Sequence, residues 1–177
     1  MQTQIFNLMV TSALLTVGMG RVLAAEQLER YEFLQIQMGV PFHITLYAGN
    51  DDAANKAARA AYARIKQLNG VLSDYDPDSE LMQLCRSSGP GKPVKVSHDL
   101  ERVIAQSLQL SRQTGGAFDV TIGPVVRLWR IARRKKQMPA TTALADALGR
   151  VGYRHVRLDK QRHTIELQHD GMRLDLG

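Results

Sequence analysis

A long amphipathic helix pattern in the first half of the chain is the feature that most constrains the fold. Asn50-Asp51-Asp52 is a helix start signal, because these side chains accept hydrogen bonds from the free N–H groups of a first turn. Apolar residues then recur at the spacing of one helix face, at Ala54, Ala57, Ala58, Ala61, Ile65, Leu68 and Leu72. So many small alanines on one face predict a helix that packs closely against a sheet.

The residues before this helix predict a pair of strands over 31–48. Phe42, Ile44 and Leu46 alternate with more polar neighbours, which is the two-residue period of a half-buried strand. Gly39-Val40-Pro41 interrupts the pattern and indicates a hairpin-like break between the two strands.

Capping residues predict four further helices. The residues that start them are Ser79, Ser97, Pro124 and either Thr141 or Thr142. The first is short and runs through Leu84, Gly115-Gly116 ends the second, and Gly149 ends the last.

Further strands are expected at 94–96, 154–158, 164–167 and 173–176, and the last three would form an antiparallel meander. Helices and strands alternate irregularly along the chain. The pattern therefore predicts an α+β fold, a mixed or antiparallel sheet packed with several helices, rather than a doubly wound parallel sheet.

The N-terminus carries features of an export signal. Residues 8–20 form an apolar run that is short for a membrane span, and the small residues at 22–25 suit signal cleavage. We therefore expect residues 1–25 to be a signal peptide and residues 26–177 to form the folded domain. A buried N-terminal helix and an uncleaved anchor are the alternatives, because no Lys or Arg precedes the run.

The chain has a net charge of +6, which favours attraction to nucleic acid, anionic membranes or phosphate ligands. Positive charge is densest at Arg127, Arg130, Arg133, Arg134, Lys135 and Lys136. A solvated helix end is one interpretation, because cations are favoured near a helix C-terminus, and docking of phosphate or protein is the other. No nucleic-acid partner is expected, because Trp129 alone does not supply interleaved exposed aromatics, and Trp129 is expected to pack inward.

The polar loop at 73–80 contains Tyr75 among three aspartates. Clustered carboxylates can bind Mg²⁺, but Asp and Ser also cap helices and form turns, so both interpretations stay open. Tyr75 can stack on a flat ligand. The five histidines show no metal-ligand spacing, and the single cysteine, Cys85, excludes an internal disulfide and is expected to be a packing residue.

The segment at 114–124 combines Gly115-Gly116 with Gly123-Pro124. Glycines let backbone N–H groups approach a phosphate or a planar ligand without a clash from Cβ. The same residues are also consistent with a helix C-cap, a short strand and a helix started by proline.

Four pieces in order carry a resemblance to a known family. They are residues 38–42, residues 72–81, residues 114–124 with Leu128-Trp129, and the closing Leu174-Asp175-Leu176-Gly177. Together they resemble the ApbE family of FAD:protein FMN transferases, over roughly residue 33 to the end. The predicted leader also suits this exported family, so we expect a location in the periplasm or at the periplasmic face of the inner membrane.

The resemblance implies an enzyme that moves FMN from FAD to a Thr or Ser hydroxyl of a target flavoprotein, with release of AMP and with Mg²⁺ as cofactor. It implies that Met38 and Tyr75 lie against the flavin nucleotide and that Ala117, Phe118 and Asp119 contact FAD. It assigns no catalytic residue and no metal ligand. The expected partners are FAD and the target flavoprotein, and association with a membrane stays open.

Departures from the family pattern set further expectations. Val40 stands where the family tends to have Thr, and the family's lipoprotein cysteine is missing. The family continues past Asp-Leu-Gly into a segment with a flavin-contacting Lys and Mg²⁺ ligands, so we expect the chain to be an N-terminal, truncated part with an incomplete site. A flavin-binding remnant without catalysis and a basic module that binds anionic partners are the alternatives.

Overall fold

The first two strands form an antiparallel hairpin. The computed structural model describes residues 27–176, so the predicted signal peptide at 1–25 lies outside the described residues. Strand β1 (Glu29–Gln37) pairs with β2 (Val40–Ala48) over nine residues each, from Glu29 opposite Ala48 to Gln37 opposite Val40. Both residues of the connecting turn have positive φ, 52° at Met38 and 75° at Gly39, as in type I′ hairpin turns. The predicted break between the strands is confirmed.

Helix α1 (Asp51–Leu72) packs on this hairpin. The Asn50 side chain caps it by accepting a hydrogen bond from Ala53 N at 2.9 Å. Ala54 and Ala58 are buried, and the Tyr62 hydroxyl donates to the Phe42 carbonyl oxygen at 3.0 Å. The alanine face thus packs against a sheet as predicted.

Four further α-helices follow in the described part of the chain: α2 (Glu80–Ser87), α3 (His98–Gln113), α4 (Gly123–Lys135) and α5 (Thr141–Leu148). The Ser79 and Ser97 hydroxyls cap α2 and α3 as predicted, accepting from Met82 N and Leu100 N. The predicted Thr cap of α5 is wrong. Extended backbone continues through Ala140, which takes the cap position without a side-chain hydrogen bond, and Thr141 is already helical.

A second sheet has three strands, β3 (Val94–Lys95), β4 (Val156–Asp159) and β5 (Thr164–Leu167). Its order is β3-β5-β4, and both pairings are antiparallel. The strand predicted at 173–176 is wrong. That segment makes one parallel bridge, between Ile122 and Arg173, and Asp175 N donates to the Val120 carbonyl oxygen at 2.9 Å. It therefore pairs with the glycine-rich segment instead of extending the meander.

The main core lies between α2, α3 and the second sheet. Its most buried side chains, each at most 1% exposed, are Leu81, Leu84, Leu100, Ile104, Val120, Ile165, Leu167 and Leu174. The fold is α+β with antiparallel sheets, as predicted. Within residues 27–176, no helix has both the length and the apolarity that a membrane crossing requires.

Candidate functional site

A cleft of about 630 Å³ opens between the hairpin turn and the loop that follows α1. Met38 from the turn and Tyr75 from the loop both line it. Leu72, Val103 and Leu176 contribute apolar surface from α1, α3 and the C-terminal segment. An apolar cleft with a few polar groups is the usual form of a small-molecule site, and two predicted ligand-contacting residues share this one.

Met38 is held at the tip of the hairpin in an unfavourable backbone conformation. Its φ of 52° lies in the left-handed region, which costs a residue with a Cβ of order 1 kcal/mol. Its side chain is half exposed and carries a soft thioether, which packs adaptably against aromatic surfaces. Such backbone strain often marks a functional position.

The loop that carries Tyr75 is folded by local hydrogen bonds. The Ser73 hydroxyl accepts from Tyr75 N at 3.2 Å and from Asp76 N at 3.1 Å, and the Asp76 carboxylate accepts from Asp78 N at 2.9 Å. These contacts support turn formation as the role of Asp76. The loop presents Tyr75 to solvent with 73% of its surface exposed, which leaves the ring available to a ligand.

Arg130 from α4 contacts two residues of this loop. Its guanidinium lies 4.1 Å from the centre of the Tyr75 ring, donates to the buried Asp74 carboxylate, and lies 3.4 Å from an Asp175 oxygen. Burial alone lowers the pKa of Arg130, but the hydrogen bond to Asp74 and the two negative charges outweigh it and leave the pKa raised. The ion pair therefore fixes Tyr75 relative to α4.

No local pattern in the sequence indicates this ion pair. The sequence pattern assigns Arg130 to the solvated or docking cations of its helix and Asp74 to the aspartates of the polar loop. The two are 56 residues apart, and only the fold brings them together.

Ala117, Phe118 and Asp119 lie in the glycine-rich turn, defined here as residues 114–123. The short strand predicted in this segment is wrong, because the Asp119 carboxylate curls the backbone. It accepts from Thr121 N at 2.8 Å, from the Thr121 hydroxyl at 2.6 Å and from Tyr153 N at 2.9 Å. All three contacts are internal to the protein, so this side chain ties the turn to the 3-10 turn at 153–155 that precedes β4.

Residues 173–176 link the glycine-rich turn to the cleft. Val120 is hydrogen-bonded to Asp175, and the neighbouring Leu176 lines the cleft. At the end of the turn, a Cβ on Gly123 would lie 2.6 Å from the Arg173 carbonyl oxygen, so the two backbones approach as closely as glycine permits. The structure thus brings Met38 and Tyr75 together in one cleft, whereas Ala117, Phe118 and Asp119 are not among the residues that line it.

A sequence model of the ApbE family matches residues 38–177. The chain belongs to the ApbE family. It is 31% identical over 163 residues to the FAD:protein FMN transferase of Haemophilus influenzae, a match that covers 88% of this chain and 47% of that protein. It is 30% identical over 166 residues to the FAD:protein FMN transferase of Treponema pallidum, covering 90% and 46%.

A solved ApbE structure has the same fold. The flavin transferase ApbE from Vibrio cholerae superposes with a TM-score of 0.74 at 25% identity, over 85% of this chain and 48% of that one. The chain therefore spans about half the length of the relatives that it matches.

The metal donors expected of an ApbE protein are not assembled in the part of the chain that the structure describes. Residues 27–176 contain no group of three or more His, Cys, Asp or Glu side chains that could hold a metal ion. The aspartates nearest the cleft form the Arg130 ion pair or the local turn. These residues do not fit a complete Mg²⁺ site.

The predictions for Trp129 and Cys85 have different outcomes. Trp129 was expected to pack inward, but 43% of its surface is exposed on α4, so that prediction is wrong. Cys85 packs against the core as expected, where burial raises its pKa, and its sulfur accepts from Leu174 N at 3.3 Å.

Proposed function

We propose that this chain forms the FAD-binding part of a FAD:protein FMN transferase. In that reaction a Thr or Ser hydroxyl oxygen of a target flavoprotein bonds to the FMN phosphorus and gives up its proton to solvent. The bond to the AMP phosphate breaks, and AMP leaves with the electron pair. The observation that carries the proposal is the meeting of Met38 and Tyr75 in one cleft. The names of the family relatives support the same activity.

The cleft offers what an isoalloxazine ring needs. Tyr75 supplies an exposed aromatic face, Met38 a polarizable thioether, and Leu72 an apolar wall. The Arg130 guanidinium lies against the tyrosine ring and holds it, so the ring loses little freedom when a ligand stacks on it. In the proposed complex, Ala117, Phe118 and Asp119 border the nucleotide from the glycine-rich turn.

Mg²⁺ is proposed as the metal cofactor of the transfer reaction, because a cation neutralises charge on a transferring phosphate. The described residues do not form a site for it, so we assign no ligand and derive no step through it.

We further propose that the protein is exported to the periplasm or to the periplasmic face of the inner membrane. Its target there is a flavoprotein with an acceptor Thr or Ser, and association with the membrane keeps it near such targets. The apolar run and small residues before position 26 support export.

FAD binding tests the site directly. Titration of the full chain with FAD, followed by quenching of flavin fluorescence, should give a saturable curve. Tyr75→Ala should weaken binding about tenfold, because stacking on an aromatic ring contributes about 1–3 kcal/mol. Tyr47→Ala is the matched control, since Tyr47 is also an exposed tyrosine but lies on the hairpin away from the cleft. Equal affinities of the two variants would remove Tyr75 from the site.

Transfer is tested separately. The chain is incubated with FAD, Mg²⁺ and a target domain, and covalent flavin fluorescence is sought in a denaturing gel. A labelled target band supports the transferase. FAD binding without labelling supports the second candidate, a flavin-binding part without catalysis, which the unassembled metal donors specifically favour.

A further inference from the structure

The C-terminal end of α4 carries an uncompensated cluster of positive charge. Its four consecutive cations are all exposed: Arg133, Arg134, Lys135 and Lys136. The ion pairs formed within residues 27–176 use other side chains. The partial negative charge of a helix C-terminus offsets only a fraction of this charge, so the cluster attracts anions.

Two large apolar side chains are exposed beside these cations. Trp129 is 43% exposed and Met138 is 72% exposed. Both line one shallow groove of about 300 Å³ together with Arg133 and Lys136. Lys136 ends the helix in the left-handed conformation, and Gln137 N donates back to the Ala132 carbonyl oxygen, which turns the chain so that Met138 returns toward Trp129.

We propose that this α4-end surface, formed by Trp129, Met138 and the four cations, docks the protein on an anionic lipid bilayer. Trp129 and Arg133 lie four residues apart on one face of α4, and Lys136 at the helix end lines the same groove. Exposed tryptophan beside clustered Lys and Arg is the composition of helices that lie at a membrane interface.

The chemistry of the surface favours lipid over an acidic protein. Lys and Arg have long flexible stems, so the neighbouring Arg134 and Lys135 can also reach a plane of headgroups. The groove is shallow and small, which suits an aromatic ring at headgroup level more than the anchor of a folded partner. This inference rests on the proposed location at a membrane face and names the surface that binds there.

Trp129 is the only tryptophan of the chain, so its fluorescence reports on this surface directly. The full chain is mixed with vesicles of phosphatidylcholine alone and with vesicles in which phosphatidylglycerol is about a third of the lipid. We expect a blue shift of Trp129 emission and cosedimentation with the anionic vesicles only, and both should weaken as salt is raised. Equal binding to both kinds of vesicle would overturn the proposal.

Paired variants locate the effect. Arg133→Gln with Lys136→Gln should lower the partition into anionic vesicles by about tenfold or more. Lys56→Gln with Lys66→Gln removes the same charge from exposed positions on α1 and should leave partition within about twofold. Equal losses in both pairs would show that net charge alone drives binding, against the proposal.

Two further readouts separate the competing outcomes. A Trp129 shift with poly-glutamate but not with anionic vesicles would overturn the lipid surface and indicate an acidic protein partner. FAD affinity is measured on the same samples, and the α4-end variants should retain it. Vesicle binding without any FAD binding would contradict the proposed function and leave this surface standing.

Discussion

The cleft and the glycine-rich turn use their side chains in opposite ways. Met38 and Tyr75 are exposed in the cleft, and Met38 sits in a strained backbone conformation. The Asp119 carboxylate in the turn accepts three hydrogen bonds from groups inside the protein. Both regions belong to pieces that resemble the family, yet the cleft side chains are exposed whereas the Asp119 carboxylate is bound within the protein.

The difference separates two ways in which a residue can serve a site. A side chain in the cleft contributes its own contact surface, so its loss should change ligand affinity and leave stability nearly unchanged. Asp119 supports the shape of a turn, so its loss should first change stability. Four substitutions test this division, and they are ordered by the size of the effect that we expect.

Asp119→Ala should cause the largest change. Removal of three hydrogen bonds to a charged acceptor should lower the free energy of unfolding by about 3 kcal/mol, measured by urea denaturation. Asp119→Asn is the control of the same shape and should lose less, because its amide oxygen still accepts. Normal stability of Asp119→Ala together with lost FAD binding would show instead that Asp119 contacts the ligand directly.

Arg130→Ala tests the link between the loop and α4. It leaves Asp74 buried without its cation, and Arg130 is partly exposed, so we expect a loss of about 2 kcal/mol, below the range for fully buried pairs. Arg127→Ala removes an exposed arginine from the same helix and should have little effect on the unfolding curve. FAD affinity should also fall in Arg130→Ala, since the Tyr75 ring loses its support. Unchanged affinity would separate the ion pair from the site.

Much of the fold could be predicted from the sequence because its signals are local. The Ser79 and Ser97 caps act on N–H groups three residues away, so the sequence around them suffices. The strand predicted at 173–176 failed for the opposite reason. Its alternation is that of a strand, but the residues with which it forms backbone hydrogen bonds depend on the tertiary fold. The fold places the segment beside Ile122 instead of β5.

The candidate site divides in the same way. Met38 and Tyr75 were reached through the family resemblance, and their shared cleft needs only the hairpin and the loop after α1. The Arg130 ion pair was missed because nothing near Arg130 in the sequence distinguishes it from the neighbouring Arg127. The Arg130–Asp74 pair joins residues 56 positions apart, so it depends on how the helices and loops pack and not on a local sequence pattern.

Met38→Asn should change stability and affinity in opposite directions. Asparagine tolerates positive φ and forms favourable hairpin turns before glycine, so the free energy of unfolding should rise by about 0.5–1 kcal/mol. FAD affinity should fall about threefold, because the thioether contact is lost. The measurements are urea denaturation and flavin titration on one preparation. Higher stability with unchanged affinity would show that the strain at Met38 serves no ligand.

Asp99→Asn should have the smallest effect and depend on pH. Asp99 accepts from Arg64 at 2.6 Å, and this pair joins α3 to α1, the helices that supply Val103 and Leu72 to the cleft wall. The hydrogen bond to Arg64 lowers the pKa of Asp99 below its ordinary value of 3.8. The pair therefore stabilises the fold fully above the unfolded-state pKa, and this contribution is lost as pH falls through the lower folded-state pKa.

The difference in Tm between the wild type and Asp99→Asn should thus be largest at neutral pH and shrink in acid below that folded-state pKa. It should also shrink in high salt, because the pair is partly exposed and screened. Arg102→Gln is a useful control, since its guanidinium lies 3.9 Å from the same carboxylate but is more exposed. A difference in Tm that stays constant down to acid pH would show that Asp99 supports the cleft wall by packing and not by its charge.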